Sequence, residues 1–315
     1  MEVNQKKILI TGGLGNLGSW LTEHFCNQGY DVTVLTKRLR KLEFDSPFKT
    51  LVCDISSQTD CSEKLTEKYH TVIHCASMNE HKDDSYPKDA LLVNSLGTRN
   101  ILEALNSNKP EHFIYFSTFH VYGKNTGEIT EETDTVPMND YGITHLFAEY
   151  YVKQYHAKFD IPYSIIRLSN SYGCPKDYDS SKWYLILNDL SKMAFKEKKI
   201  VLKGNGLASR DFIWMGDVCQ IIEELSRNTA TNNTFNLSSE KSYSLLDIAE
   251  AVQTAFQNQF GERLEIKLNT NDPYKPGEPM YINSSKIKRQ INYKAEAHFV
   301  EEAENIFKFL EKEKN

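Results

Sequence analysis

The stretch Thr11-Gly12-Gly13-Leu14-Gly15-Asn16-Leu17-Gly18 follows the apolar run at 7–10 and leads into a segment with helical periodicity. Glycines at 12, 15 and 18 between a strand and a helix serve a tight turn, a close backbone approach to a pyrophosphate, and close helix–strand packing. The helix that follows presents unpaired amides to negative oxygens. This feature predicts a dinucleotide cofactor, with Gly12, Gly15, Asn16, Leu17 and Gly18 as its contacts. The competing reading is a purely structural glycine turn in another α/β protein.

The rest of the first half has the alternation such a turn requires. Short apolar or β-branched runs at 7–10, 31–35, 48–53, 71–76 and 112–117 read as strands. Helical spacing fills 17–27, 57–68 and 90–106, and Tyr141, Phe147, Tyr151, Val152 and Tyr155 predict a further helix over 140–158. Strands alternating with helices imply a mostly parallel sheet covered on both faces. Beyond the strand at 163–169 the order loosens. It passes through a polar loop (174–182), helices at 183–197, 244–259 and 298–313, and a strand or turn running into a helix over 211–225. A strand follows at 234–238, and three prolines and a glycine break up 271–279.

The chain has 315 residues and a formal net charge of -6, which gives no general attraction for nucleic acid or an anionic membrane. No apolar run approaches the ~20 residues of a membrane span, and the N-terminus carries no secretory signal pattern, so a cytoplasmic location is expected. Cys26, Cys53, Cys61, Cys75, Cys174 and Cys219 are widely spaced and form no zinc-like motif, so no metal is expected and the thiols read as reduced.

The end of the second strand bears on the coenzyme. An acidic side chain there commonly holds the adenosine ribose of NAD. Here the run ends in Thr36-Lys37-Arg38, whose cations can pair with a 2'-phosphate, so NADP is expected in preference to NAD. The alternative is that both cations are solvated turn residues. Asp54 reads equally as an adenine contact or as a helix cap.

Taken with the glycine turn, "VIHCAS" at 72–77, "VNSLGTRNILEA" at 93–104, "FSTFHVYG" at 116–123, "YGITH" at 141–145, "RLSNSYG" at 167–173 and "RDFIWMGDV" at 210–218 fall in a familiar order. Over nearly its full length the chain resembles the extended short-chain dehydrogenase/reductase family, in its nucleotide-sugar epimerase, dehydratase and reductase branch. The resemblance implies a Rossmann-type doubly wound parallel sheet with a smaller C-terminal substrate-binding lobe. The implied dinucleotide domain spans 1–170 with 211–240 returning to it, and 171–210 and 241–315 form the lobe. It further implies a homodimer through the tyrosine-bearing helix and its neighbour, and Ile55, Cys75 and Ala76 as further cofactor contacts.

The resemblance also distributes the chemistry. Tyr141 matches the tyrosine that exchanges a proton with a sugar oxygen while the nicotinamide exchanges a hydride. The family places lysine four residues later, where it holds the nicotinamide ribose and lowers the phenol's pKa; here that position is His145. A neutral imidazole can bind ribose or relay a proton, but only imidazolium lowers the phenol's pKa by charge. Moving a phenol from ~10 to ~7 needs about 4 kcal/mol. Reduction of a ketone can use the neutral phenol directly. Thr118 matches the hydroxyl that steadies the reacting oxygen. Phe119 and His120 stand where 4,6-dehydratases carry an Asp-Glu pair, so dehydration is disfavoured, while His120 is a second candidate acid/base. The resemblance implies Asn94, Phe119, Asn170, Trp183 and Arg210 as substrate contacts, with Arg210 suited to a diphosphate and 176–184 covering the sugar; Asn94 and Asn170 read alternatively as buried backbone supports, and Trp183 as simple packing.

These features predict an NADP-dependent oxidoreductase acting at carbon 4 of a nucleotide-activated sugar, foremost a 4-ketoreductase. A 4-epimerase or an NAD-dependent carbon-4 dehydrogenase is the enzyme alternative. A noncatalytic cofactor-binding regulatory protein is the alternative from another class.

Overall fold

Strands whose successive side chains point to opposite faces can bury both only if each face is covered. The computed structural model describes residues 6–313 apart from 41, 43, 79–85, 178–180 and 229. In it β1 (Lys7–Thr11), β2 (Asp31–Thr36), β3 (Lys49–Val52), β4 (Thr71–His74), β5 (His112–Thr118), β6 (Tyr163–Leu168) and β7 (Asn233–Leu237) form one sheet. Its order is β7-β6-β5-β4-β1-β2-β3, and every neighbouring pair is parallel. The chain reverses its direction of travel across the sheet between β1 and β4, and such switch points open a crevice beyond the strands' carboxyl ends.

The two faces divide the strands residue by residue. Ile8, Ile10, Val32, Val34, Ile114, Phe116 and Ile166 belong to one core, with the helices Asn16–Asn27 and Met215–Arg227. Leu9, Leu35, Val72, Phe113, Tyr115 and Ile165 belong to the other, with the helices Gly97–Leu105 and Asp140–Phe159. This is the doubly wound arrangement expected from the alternating runs.

The helix Asp140–Phe159 starts where the Asn139 side chain accepts the Gly142 amide at 2.8 Å, and it ends at Asp160, whose φ is 55°. Its buried row is Thr144, His145, Ala148, Glu149, Val152 and Tyr155. Phe147, one of the residues whose spacing predicts this helix, lies outside with 47% of its surface exposed. The predicted helix over 90–106 is interrupted as well. Helix Tyr86–Ala90 widens into a π-helical turn, Leu91–Leu96, before the α-helix Gly97–Leu105. The widened turn carries Asn94, bonded to Met78 and Thr144, and Ser95, bonded to the Thr144 carbonyl.

A separate core lies among the helices Ile186–Glu197, Leu245–Phe260 and Phe299–Glu313, with Phe195, Phe256 and Phe307 at its centre. The strand Ser209–Trp214 pairs with Asn170–Tyr172 and Ser242–Ser244. Asp211 ties these parts to the main sheet. It accepts from Ser169 Oγ at 2.5 Å, from the amide and hydroxyl of Ser239 at 3.1 Å, and from the Lys241 amide at 3.2 Å. The pairing of Gly127–Ile129 with Met280–Ile282 is absent from the sequence reading, because three residues are too few to display a period of two.

Between the sheet and the helix Asp140–Phe159 lies a buried ion pair. Arg167 donates to Glu149 through Nε at 2.9 Å and Nη2 at 2.7 Å, and Ser117 Oγ donates to the same carboxylate at 2.6 Å. The guanidinium also stacks 4.7 Å from the centre of the Tyr122 ring. Removing one partner strands the other charge, so Glu149→Ala should destabilise the protein by about 3–5 kcal/mol. Urea unfolding checks this, with Glu149→Gln expected to lose less.

Candidate active site

The first strand delivers the glycine turn to the switch point. Gly12 has a φ of 69°, and a Cβ there would stand 2.7 Å from the Ala76 Cα. At Gly18 a Cβ would come within 2.1 Å of the Gly12 carbonyl oxygen. Both positions therefore exclude any side chain. The following helix, Asn16–Asn27, begins at Gly15 with no side-chain cap, and Asn16 Oδ1 is buried without a hydrogen-bond partner among the described residues. Leu17 turns back onto the core. Uncapped amides and a cradle that a Cβ would fill fit a dinucleotide's pyrophosphate. Cys75 lies across the turn with Sγ 3.0 Å from the Thr11 carbonyl; burial pushes its thiol up to about 12, so it is inert.

Farther along the sheet edge, Thr36, Lys37 and Arg38 meet Asp54 and Ile55. Lys37 Nζ lies 2.6 Å from Asp54 Oδ2, and Thr36 Oγ1 donates to the Arg38 carbonyl at 2.9 Å. Desolvation alone would raise the Asp54 carboxyl, but Lys37 and the Ser56 hydrogen bonds hold it below its ordinary value. Asp54 accepts both the amide and the hydroxyl of Ser56, and the Ile55 carbonyl accepts from Asn100 at 2.9 Å.

At the other end of the crevice the helix Asp140–Phe159 brings Tyr141 near Thr118. Burial, with Tyr86 and Tyr184 adding, pushes that phenol above its ordinary value; the Thr118 hydroxyl opposes the shift. The His145 ring meets the Tyr141 ring edge-to-face with centroids 4.5 Å apart. His145 is 2% exposed, and burial, with His74 and His120 adding, pushes its imidazole down to about 3. It is therefore neutral at physiological pH and lends Tyr141 no positive charge. Its Nδ1 stands 2.7 Å from the Tyr115 hydroxyl, and its Nε2 is buried without a partner among the described residues.

Several side chains near this site escaped the sequence reading. Thr11 and His74 Nδ1 are 2.5 Å apart, His74 Nε2 is 2.9 Å from Thr98 Oγ1, and Thr98 donates to the Asn94 carbonyl at 2.5 Å. With Tyr115 they form a buried polar seam inside apolar strands. The available signal was a histidine and a tyrosine within otherwise apolar runs.

The substrate-side candidates are dispersed. The Asn94 side chain is spent on Met78 and Thr144, and Asn170 donates to the Asp211 carbonyl at 2.9 Å. Both are held as backbone supports. Phe119 packs into a cluster with Val121, Tyr122, Ile129, Met280 and Ile282. His120 lies edge-on to Tyr141 at 5.8 Å. Trp183 faces Phe309 and carries Lys192 Nζ over its ring at 4.8 Å. Arg210 is exposed on Ser209–Trp214. The segment 176–184, expected to cover the sugar, is described at 176–177 and 181–184; 178–180 lie outside the described residues. No group of three or more His, Cys, Asp or Glu among the described residues is arranged to hold a metal ion.

Residues 8–238 match the NAD dependent epimerase/dehydratase family. The chain belongs to that family. A dTDP-D-glucose 4,6-dehydratase of Dictyostelium discoideum is 29% identical over 274 residues, which cover 78% of this chain and 61% of that protein. This chain thus spans less than two thirds of that relative. The Bacillus cereus UDP-glucuronic acid 4-epimerase, solved with UDP-glucuronic acid and NAD, shares 25% identity at a TM-score of 0.77, covering 97% of this chain and 99% of that one. A Thermotoga maritima UDP-glucose 4-epimerase shares the fold, with a TM-score of 0.82 at 19% identity over 98% of this chain and 100% of that one.

The expected preference for NADP is overturned. The family is NAD dependent, and the B. cereus relative holds NAD. The physical reason lies at Lys37: its charge is drawn onto Asp54, a carboxylate that would itself repel a 2'-phosphate. In addition, no helix among the described residues is long and apolar enough to cross a membrane.

Buried neutral histidines make folding pH-dependent. Burial holds His74 and His145 at about 3 and His112 at about 4, whereas unfolding restores ordinary values near 6.5. The unfolded chain therefore binds more protons below ~6.5, and stability falls on acidification toward about 4. Urea unfolding at pH 5 should give a free energy lower than at pH 7 by roughly 1–2 kcal/mol per buried histidine. Equal stability at the two values would mean that the folded imidazoles carry charge.

Proposed function

We propose that this chain is an NAD-dependent nucleotide-sugar 4-epimerase, which oxidises carbon 4 of its substrate and then reduces the ketone from either face. The observation that carries the proposal is the Thr118–Tyr141 pair set at the switch-point crevice beside an uncharged His145. The 4-ketoreductase expected from position 145 loses support along with NADP, and the solved relatives are 4-epimerases. The dehydratase name of the D. discoideum relative does not transfer well, because Phe119 is locked in an apolar cluster and can move no proton.

Residues around the glycine turn (Gly12, Gly15, Asn16, Leu17, Gly18, Cys75 and Ala76) would hold the pyrophosphate. Asp54 and Ile55 would border the adenine, and His145 Nε2 would meet the nicotinamide ribose. Bound NAD supplies the hydride acceptor, and its reduced form the donor. Thr118 holds the reacting oxygen by its hydroxyl and steadies charge there. Once its own proton has been lost to solvent, the Tyr141 phenolate takes up the proton of the carbon-4 hydroxyl, and the resulting phenol later returns it to the ketone oxygen. Because its phenol is protonated in the free protein, turnover should rise with pH across the neutral range. Arg210, exposed and forked, would pair with the substrate's diphosphate. His120 and Trp183 would flank the sugar.

Screening UDP-, dTDP-, GDP- and CDP-sugars with NAD tests the proposal. The expected result is conversion at carbon 4 without build-up of NADH, and Tyr141→Phe should lower turnover about 10²- to 10⁴-fold while NAD still binds. Net consumption of reduced coenzyme by a 4-keto sugar, or full function of Tyr141→Phe, would overturn it.

A homodimer is part of the same proposal. Leu91, Leu92, Leu96, Phe147, Tyr150 and Tyr151 line an open apolar groove between the π-helical turn and the tyrosine-bearing helix. Tyr150 is 58% exposed and Phe147 47%, an apolar face that a second copy would cover in a four-helix contact. Phe147→Glu with Tyr150→Glu should convert a dimer to a monomer in sedimentation velocity, and an unchanged sedimentation coefficient would reject this face.

A further inference from the structure

A histidine that cannot be charged acts through one tautomer, and the partner on its other ring nitrogen selects that tautomer. His145 has one such partner, the Tyr115 hydroxyl, 2.7 Å from Nδ1. Tyr115 is itself 2% exposed and lies on β5, which faces the helix Asp140–Phe159. Among the described residues the Tyr115 hydroxyl has this one hydrogen-bond partner, so its proton is spent only by donation to Nδ1. The neighbouring seam is complete in itself: Thr98 gives its single proton to the Asn94 carbonyl, so His74 Nε2 donates to Thr98 and Thr11 donates to His74 Nδ1. Burial pushes the Tyr115 phenol well above its ordinary value, so the proton stays on oxygen.

We infer that Tyr115 is a positioning residue: by donating to Nδ1 it holds His145 as the Nε2–H tautomer and so builds a neutral hydrogen-bond donor at a position the chain leaves for a ligand oxygen. A further fact agrees: Nε2 is buried and unpartnered among the described residues, so a hydrogen fixed there is spent only when a ligand arrives. In this chain the group beside the acting phenol orients and donates without changing its charge. The inference rests on the proposed function for the ligand's identity, a ribose hydroxyl of the cofactor, but the tautomer is a property of the free protein.

The experiment is two-bond ¹H–¹⁵N correlation of the histidine side chains in the ligand-free, ¹⁵N-labelled full chain, with His145 assigned by its absence in His145→Gln. Expected are a pyridine-like Nδ1 and a pyrrole-like Nε2 that persist from pH 8 down to pH 5. Tyr115→Phe keeps the ring and removes only the hydroxyl. It should release the tautomer into a mixture and weaken NAD binding by calorimetry about tenfold, the worth of one hydrogen bond. Because Tyr115 acts through His145, combining Tyr115→Phe with His145→Gln should weaken NAD no further than His145→Gln alone. An Nδ1–H tautomer or an imidazolium signal in the unmodified protein, which requires no variant to fold, would overturn the inference. Fully additive losses in the double variant would do the same. If the tautomer and NAD binding behave as stated while no nucleotide sugar is turned over, the assignment of Tyr115 holds and the proposed function falls.

Discussion

The packing of one helix, Asp140–Phe159, against β5 and β6 is the constraint from which the rest of the site follows. Residues four apart share a helix face. Tyr141, His145 and Glu149 therefore line a single row, and each meets a polar partner from the sheet: Thr118, Tyr115, and Ser117 with Arg167. His145 and Glu149 are buried, so charge survives there only where it is paired, as between Glu149 and Arg167. At His145 there is no opposite charge, and desolvation keeps the ring neutral. The same helix thus contains a stabilising ion pair, an uncharged donor and a reluctant acid, separated by one turn each.

The fold was largely legible because its signals are local and redundant. Alternating runs around the glycine turn dictate parallel strands covered on both sides, and the seven-stranded sheet follows. What was lost lies below the resolution of periodicity: the three-residue pairing of Gly127–Ile129 with Met280–Ile282, and the π-helical turn hidden within an otherwise regular helical pattern. Phe147 shows the remaining weakness, since spacing reveals that aromatic residues share a face without telling which way the face looks.

The site was legible where one residue type has one use. Glycines that admit no Cβ, and a tyrosine one turn before position 145, could be named from the sequence. The coenzyme was misjudged because Lys37 and Arg38 were weighed without Asp54, which is remote in sequence and adjacent in space. Tyr115, Thr98 and His74 escaped for a related reason: polar atoms in a strand acquire meaning only from what the neighbouring elements place opposite them. Asn94 reads from the sequence as a substrate contact or a backbone support, and its amide is consumed by the protein's own backbone and Thr144.

The π-helical turn Leu91–Leu96 faces two ways, presenting Leu91 to the outside while Asn94 and Ser95 grip the Thr144 neighbourhood within. Its extra residue sets the phase between the two. Deleting a single residue there would restore ordinary pitch and swing everything on one side by about 100° relative to the other. Outer surface and inner grip would then fall out of alignment together, so length variation should be tolerated in the surrounding loops long before it is tolerated in this one turn.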